Sequence, residues 1–197
     1  MAKYEALPTT TIQANSTMLN TNELPELVHM EDPAVSVLID FTKTPTHTIL
    51  PSETLDHAIN EMEINGVHLL LVINNDGFLE GIVSSEDTWG EKPIKIIQER
   101  RIHRDQVTVK MIMTPLSEIA ALDFAVIKSA KVGNIVKTLS SRKQNYALVI
   151  SPNANEPAQI IRGIFTTSQV SKQLHTNIAD IFNQAESLSE LHKRHKE

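Results

Sequence analysis

The sequence predicts a mixed α/β protein of the α+β type, assembled from two pseudo-symmetric copies of one helix–strand–strand–helix unit. Three observations predict it: an amphipathic helical face that recurs at a fixed interval, a buried strand that recurs at the same interval, and a glycine-centred strand that closes each copy. The closing strands differ in an informative way. Residues 81–87 read GIVSSED, and residues 163–169 read GIFTTSQ. Both pass from an apolar run into hydroxyls, but only the first keeps an acid.

Taken in chain order, residues 1–31 are rich in Thr, Asn and Pro with no sustained period, which predicts an extended N-terminal arm. Asp32 followed by Pro33 reads as an N-cap with proline at the first helical position, opening a short helix that runs to Leu38. Within residues 52–65, Leu55, Ala58, Ile59 and Met62 have the i, i+3, i+4, i+7 spacing of one helix face. Within residues 129–141, Val132, Ile135, Val136 and Leu139 repeat it, each 77 positions on (132 − 55, 139 − 62). At that interval VHLLLVIN (67–74) falls on QNYALVIS (144–151), two short β-favouring runs that read as buried strands.

NNDG at 74–77 is a tight hairpin signal, because glycine readily supplies positive φ. The second copy has the longer SPNANEPAQ at 151–159. The glycines of the returning strands FLEGIVS and IIRGIFT are 163 − 81 = 82 apart, so the second loop is five residues longer. Between the copies, residues 91–101 and 107–113 predict two more short helices. Beyond them, Ile178, Ile181, Phe182, Ala185, Leu188 and Leu191 make a helical stripe whose basic end, HKRHK, suits the negative pole of a helix. That stripe reads equally as a closing helix or as one that packs on a partner.

Composition narrows the function. A net charge of −6 argues against a general nucleic-acid binder, which needs a dense basic surface. The absence of cysteine excludes disulfides, thiol catalysis and thiolate metal sites, and fits a reducing cytoplasm. No apolar run approaches the ~18 residues of a membrane span, and no secretory signal pattern opens the sequence. The expectation is a soluble, cytoplasmic protein with neither nucleic-acid nor membrane partners.

In TPTHTILPSETLDHAINEM, VHLLLVINNDGFLEGIVSSED, MIMTP at 111–115, VGNIVKTL and GIFTTSQV, the chain resembles a tandem pair of cystathionine-β-synthase (CBS) domains, the unit called a Bateman module. The likeness covers about residues 33–175. It implies two β-α-β-β-α repeats packed together, at 32–105 (with linker) and 106–175, between the arm and a C-terminal amphipathic helix at 176–197. It also implies clefts that bind an adenosine-containing ligand (AMP, ADP, ATP or S-adenosylmethionine), a regulatory role, and a homodimer. A stand-alone module of this kind would signal to a separate effector protein.

Carried over residue by residue, the resemblance makes Asp87 the ribose ligand, since one carboxylate can accept from both vicinal hydroxyls. Ser84 and Ser85 would lie near phosphate at the free amides of a helix start. Adenine would lie against Val67, His68 and Leu69 and the segment Thr46, His47 and Thr48. The competing reading is that Ser84 simply caps the helix and Asp87 favours its positive end. In the second copy Gln169 replaces the acid and lacks its charge. Thr166 and Thr167, with Asn145 and Tyr146 at the positions of His68 and Leu69, therefore make a weaker second site.

Other side chains carry less. His57 with Glu61 and His192 with His195 have helical spacing but no third ligand, so no metal site is expected. Trp89 reads as a ligand flank or a cover for the core edge, and the basic QERRIHRD (98–105) as a solvated linker face. No nucleophile elbow, Walker loop or HExxH is present, and no catalytic role is expected. The alternative to a sensor is a structural dimer with degenerate clefts. Gln169 and a first strand without the proline often found in the family favour that alternative.

Overall fold

The computed structural model describes residues 27–152 and 159–176. The expected C-terminal helix, the first 26 residues of the arm and most of the second hairpin loop lie outside the described residues.

The first unit contains β1 (Ile39–Asp40), β2 (Thr48–Ile49), α1 (Leu55–Asn65), β3 (Leu69–Ile73), β4 (Leu79–Ser84) and α2 (Ser85–Trp89). Two connecting helices follow, α3 (Glu91–Arg100) and α4 (Val109–Ile112). The second unit contains β5 (Thr114–Pro115), β6 (Ala120–Asp123), α5 (Phe124–Ile127), α6 (Val132–Arg142), β7 (Tyr146–Pro152), β8 (Gln159–Thr166) and α7 (Thr167–Leu174). The short helix expected after Pro33 is a single 3-10 turn, Ala34–Val37. It buries Ala34 and Val37 and ends at Leu38, whose backbone turns extended to enter β1.

The sheets show why a glycine recurs. One has the order β2-β3-β4-β5 and the other β1-β8-β7-β6. Each repeat supplies a parallel pair and an antiparallel hairpin, but the fourth strand comes from the segment preceding the other repeat. β5 lies on β4 with Gly81 opposite Pro115, and β1 lies on β8 with Gly163 opposite Asp40. A Cβ on Gly81 would sit 2.3 Å from the Thr114 carbonyl oxygen, and one on Gly163 2.5 Å from that of Ile39. Both distances are far inside van der Waals contact, so each glycine is the condition for the strand beside it. The exchange crosses the sequence boundary at residue 105: β5 completes the first sheet and β1 the second.

Three apolar clusters follow from this layout. α1 and α4 cover the outer face of the first sheet through Leu55, Ala58, Met62, Val109 and Ile112. α6, α7 and the 3-10 turn cover the second through Val132, Ile135, Val136, Leu139 and Val170. The inner faces meet at Leu71, Ile82, Ile119, Leu148 and Ile164. The arm joins the fold before residue 31. Val28 is buried in the second cluster, and its amide donates to the Gln173 carbonyl at 2.9 Å.

An ion pair holds the β1 side of the exchange. Arg162 Nη2 lies 3.1 Å from Asp40 Oδ2, and its guanidinium stacks 3.7 Å from the Phe124 ring centroid. Burial works against the Asp40 carboxylate. Hydrogen bonds from the Thr42 hydroxyl and amide, together with Arg162, outweigh it and hold the pKa below the ordinary Asp value.

Candidate functional site between the repeats

A cleft of about 810 Å³ opens beside the inner cluster and is lined from both repeats. Its apolar wall includes Ile39, Phe41, Leu71 and Ile164. The first repeat contributes Thr46, His47, Val67, His68 and Leu69, and then Ser84, Ser85 and Glu86. The second contributes Asn145, Tyr146, Thr166, Thr167, Ser168, Gln169 and Lys172. The two predicted sites therefore share one continuous space. Thr48 and Asp87 do not line it; Thr48 instead borders a smaller pocket with His57 and Glu61.

The same backbone bond anchors both motif ends at the cleft. The Ser85 amide donates to the His68 carbonyl at 2.9 Å, and the Thr167 amide to the Asn145 carbonyl at 2.8 Å. Their side chains then diverge. In the first repeat the Ser84 amide and hydroxyl both donate to Asp87 Oδ2, at 3.0 and 2.7 Å, and Ser84 Oγ accepts from the Asp87 amide at 3.3 Å. This is a reciprocal cap of the first helical turn. Asp87 Oδ1 takes the Lys92 ammonium at 2.7 Å. Both oxygens of Asp87 thus have protein partners, and the Ser85 hydroxyl donates back to the His68 carbonyl.

In the second repeat Thr166 caps the Gln169 amide at 3.1 Å, but the Gln169 carboxamide turns along α7. Its Nε2 donates to Gln173 Oε1, and Gln173 Nε2 donates to the Ser36 carbonyl. The hydroxyls of Thr167 and Ser168 make no hydrogen bond among the described residues. The repeat expected to be weaker therefore presents the freer hydroxyls.

Charge in the cleft comes from residues outside the predicted set. Glu86 is the one carboxylate among the described lining residues, and its Oε2 accepts from Asn145 Nδ2 across the repeats at 2.8 Å. Lys172 lines the cleft from the second repeat, and its ammonium has no partner among the described residues. Tyr146 is pushed above the ordinary tyrosine pKa chiefly by burial. A hydrogen bond with Thr114 opposes the shift, and the charges of Asp87, Glu86 and Glu118 add to it.

Both missed residues carried a signal. Glu86 sits inside the motif itself, and Lys172 is one helical turn beyond Gln169. Trp89, at 70% exposed, neither flanks the cleft nor covers the core. Arg104 of the basic stretch pairs with Asp56 at 2.9 Å, and His57 lies 3.6 Å from both Glu53 and Glu61.

The CBS domain family model aligns with residues 38–87, ending on the last residue of the capped turn. Residues 38–87 are a CBS domain. The second repeat lies beyond the match and has the same strand order and closing glycine.

Among solved structures, a conserved CBS domain protein of unknown function from Thermoplasma acidophilum is similar at TM-score 0.51 and 20% identity, over 76% of this chain and 77% of that one. An uncharacterized conserved protein from Pyrococcus horikoshii is similar at 0.50 and 21%, over 73% and 92%. The CBS domain of a bacterial CNNM/CorC family Mg2+ transporter is similar at 0.50 and 15%, over 74% and 76%. At these identities the likeness establishes the fold. No curated protein matches the sequence. No helix among the described residues is long and apolar enough to cross a membrane.

Proposed function

We propose that the protein is a regulatory binding module rather than an enzyme. The inter-repeat cleft takes an adenosine-containing nucleotide such as AMP, ADP, ATP or S-adenosylmethionine, and occupancy is relayed to a partner protein. The single observation that carries this reading is the shared cleft. It has an apolar wall able to take a base, free hydroxyls at a helix start, and one carboxylate and one ammonium on opposite repeats. A ligand touching both repeats can change how they sit together, and it shifts that equilibrium only by its differential affinity for the two arrangements. Homodimers in the cytoplasm are the natural setting for such a relay.

The commitment of Asp87 to its cap favours a second reading, a dimeric interaction protein whose cleft is vacant in function. Thermal unfolding against AMP, ADP, ATP, GTP and S-adenosylmethionine separates the two. A ligand at one hundred times its Kd adds about 2.7 kcal/mol to the folded state, so one adenosine ligand should raise Tm by several degrees. A Tm indifferent to the whole panel supports the second reading.

A further inference from the structure

We propose that the face formed by the arm and the end of α7 is the docking surface for this chain's own C-terminal stripe, Ile178 to Leu191. The proposal is independent of the nucleotide reading. It decides between the two roles that the stripe's pattern leaves open in the sequence.

The surface is apolar where its neighbours are polar. Leu27, Met30 and Val35 are 54%, 37% and 40% exposed, and they fall within nine positions of one another. The outward faces of α6 and α7 carry Asn134, Lys137, Ser168 and Lys172 instead. Gln173 gathers the arm at the last turn of α7. Its carbonyl accepts from the Val28 amide at 2.9 Å, and its Nε2 donates to the Ser36 carbonyl at 3.1 Å. Leu27 and Val35 are the chain neighbours of those two partners, so both stand beside the end of α7. Met30 is tied to α6, where its carbonyl accepts from the Gly133 amide at 2.9 Å.

The chain leaves α7 at this rim. His175 is left-handed at φ 50. Its amide donates to the Lys172 carbonyl and the Thr176 amide to that of Ser171, the paired bonds that end a helix and turn the chain off its axis. The stripe is therefore not a straight extension of α7 into solvent. Ile178 follows Thr176 by two residues, a reach of at most about 7 Å, and Ile181 and Phe182 share its helix face. A stripe of this period needs an apolar surface to lie on, and the arm offers one where the chain emerges. The arm leads through the 3-10 turn into β1, and so to Ile39 and Phe41 in the cleft wall. A docked stripe thus braces the strand exchange from outside.

The chain has no cysteine, so introduced thiols report without background. In the full chain, Val35→Cys is combined with Phe182→Cys, and Met30→Cys with Ala185→Cys. The control combines Lys172→Cys with Phe182→Cys, because Lys172 is one turn from the exit point but on the polar face. A short bismaleimide should link both arm pairs within one chain about tenfold faster than the control, as a docked segment raises effective concentration. Equal rates for arm and control pairs overturn the docking. Links that join two chains on a denaturing gel give the surface to a second copy and overturn the assignment to this chain's own stripe. Ile181→Ser with Phe182→Ser, again in the full chain, should speed hydrogen exchange at the Val28 and Gly133 amides and leave the β3 amides protected. Unchanged exchange at Val28 and Gly133 overturns the proposal equally.

Discussion

At residues 84–87 a serine and an aspartate close the turn into a helix, each bonding the other. At residues 166–169 a threonine caps alone, and the glutamine that replaces the acid reaches one turn along α7. The backbone bond entering the helix is the same in both places, to His68 in one repeat and Asn145 in the other. Duplication has kept the backbone geometry and let the side chains drift. An acid in a recurring motif is thus no proof of a ligand: here Asp87 caps its helix, and the residue before it lines the cleft.

The core follows the same rule in volume. Leu70 pairs across the hairpin with Val83, and at the equivalent place Ala147 pairs with Phe165. All four are fully buried. The large partner has moved from the third strand of the unit to the fourth, a volume-conserving exchange of the kind cores tolerate.

The largest effect should come from the shared element. Gly81→Ala and Gly163→Ala each drive a Cβ into backbone. Each should cost on the order of 3 kcal/mol in urea unfolding by forcing β5 or β1 off its sheet. A mild effect in one repeat only would break the proposed equivalence.

Next is the core exchange. Phe165→Val should cost about 2 kcal/mol, and adding Ala147→Leu should recover part of it, a non-additivity read in a double-mutant cycle. Simple additivity would mean the two sites do not share one volume.

Third, Asp87→Asn should cost about 1 kcal/mol through the lost charged cap and the Lys92 pair. Gln169→Asn should change stability little, since its Gln173 contact is neutral and local.

The smallest effect is at the helix ends. Gly66 closes α1 at φ 63 and Lys143 closes α6 at φ 52, again 77 residues apart. Lys143→Gly removes a side chain from the left-handed region and should raise stability by up to about 1 kcal/mol. A loss of stability would mean the Lys143 side chain has contacts that outweigh its backbone strain.

The sequence made the fold legible because periodicity is local. The helix faces at Leu55 and Val132 and the strands at 69–73 and 146–152 are set by short-range pattern. The strand exchange was not legible, because β1 and β5 are two residues each and gain their identity only from a glycine more than thirty residues away. The site was half legible. Hydroxyls and strand ends fell in the cleft where the motif put them. The surroundings of Asp87, its cap with Ser84 and its pair with Lys92, depend on where the Lys92 side chain reaches. Glu86 and Lys172 had local signals in the motif and one turn beyond it, but their meeting in one cleft depends on how the two repeats face each other.

The central claim is that the repeats form one site and not two. Isothermal calorimetry of the purified full chain with AMP tests it most directly through stoichiometry. The shared cleft, with one carboxylate and one free ammonium among its described lining, predicts a single AMP per chain, and its enthalpy should change in both Glu86→Gln and Lys172→Ala. Two independent sites per chain, each sensitive to a substitution in only one repeat, would contradict it.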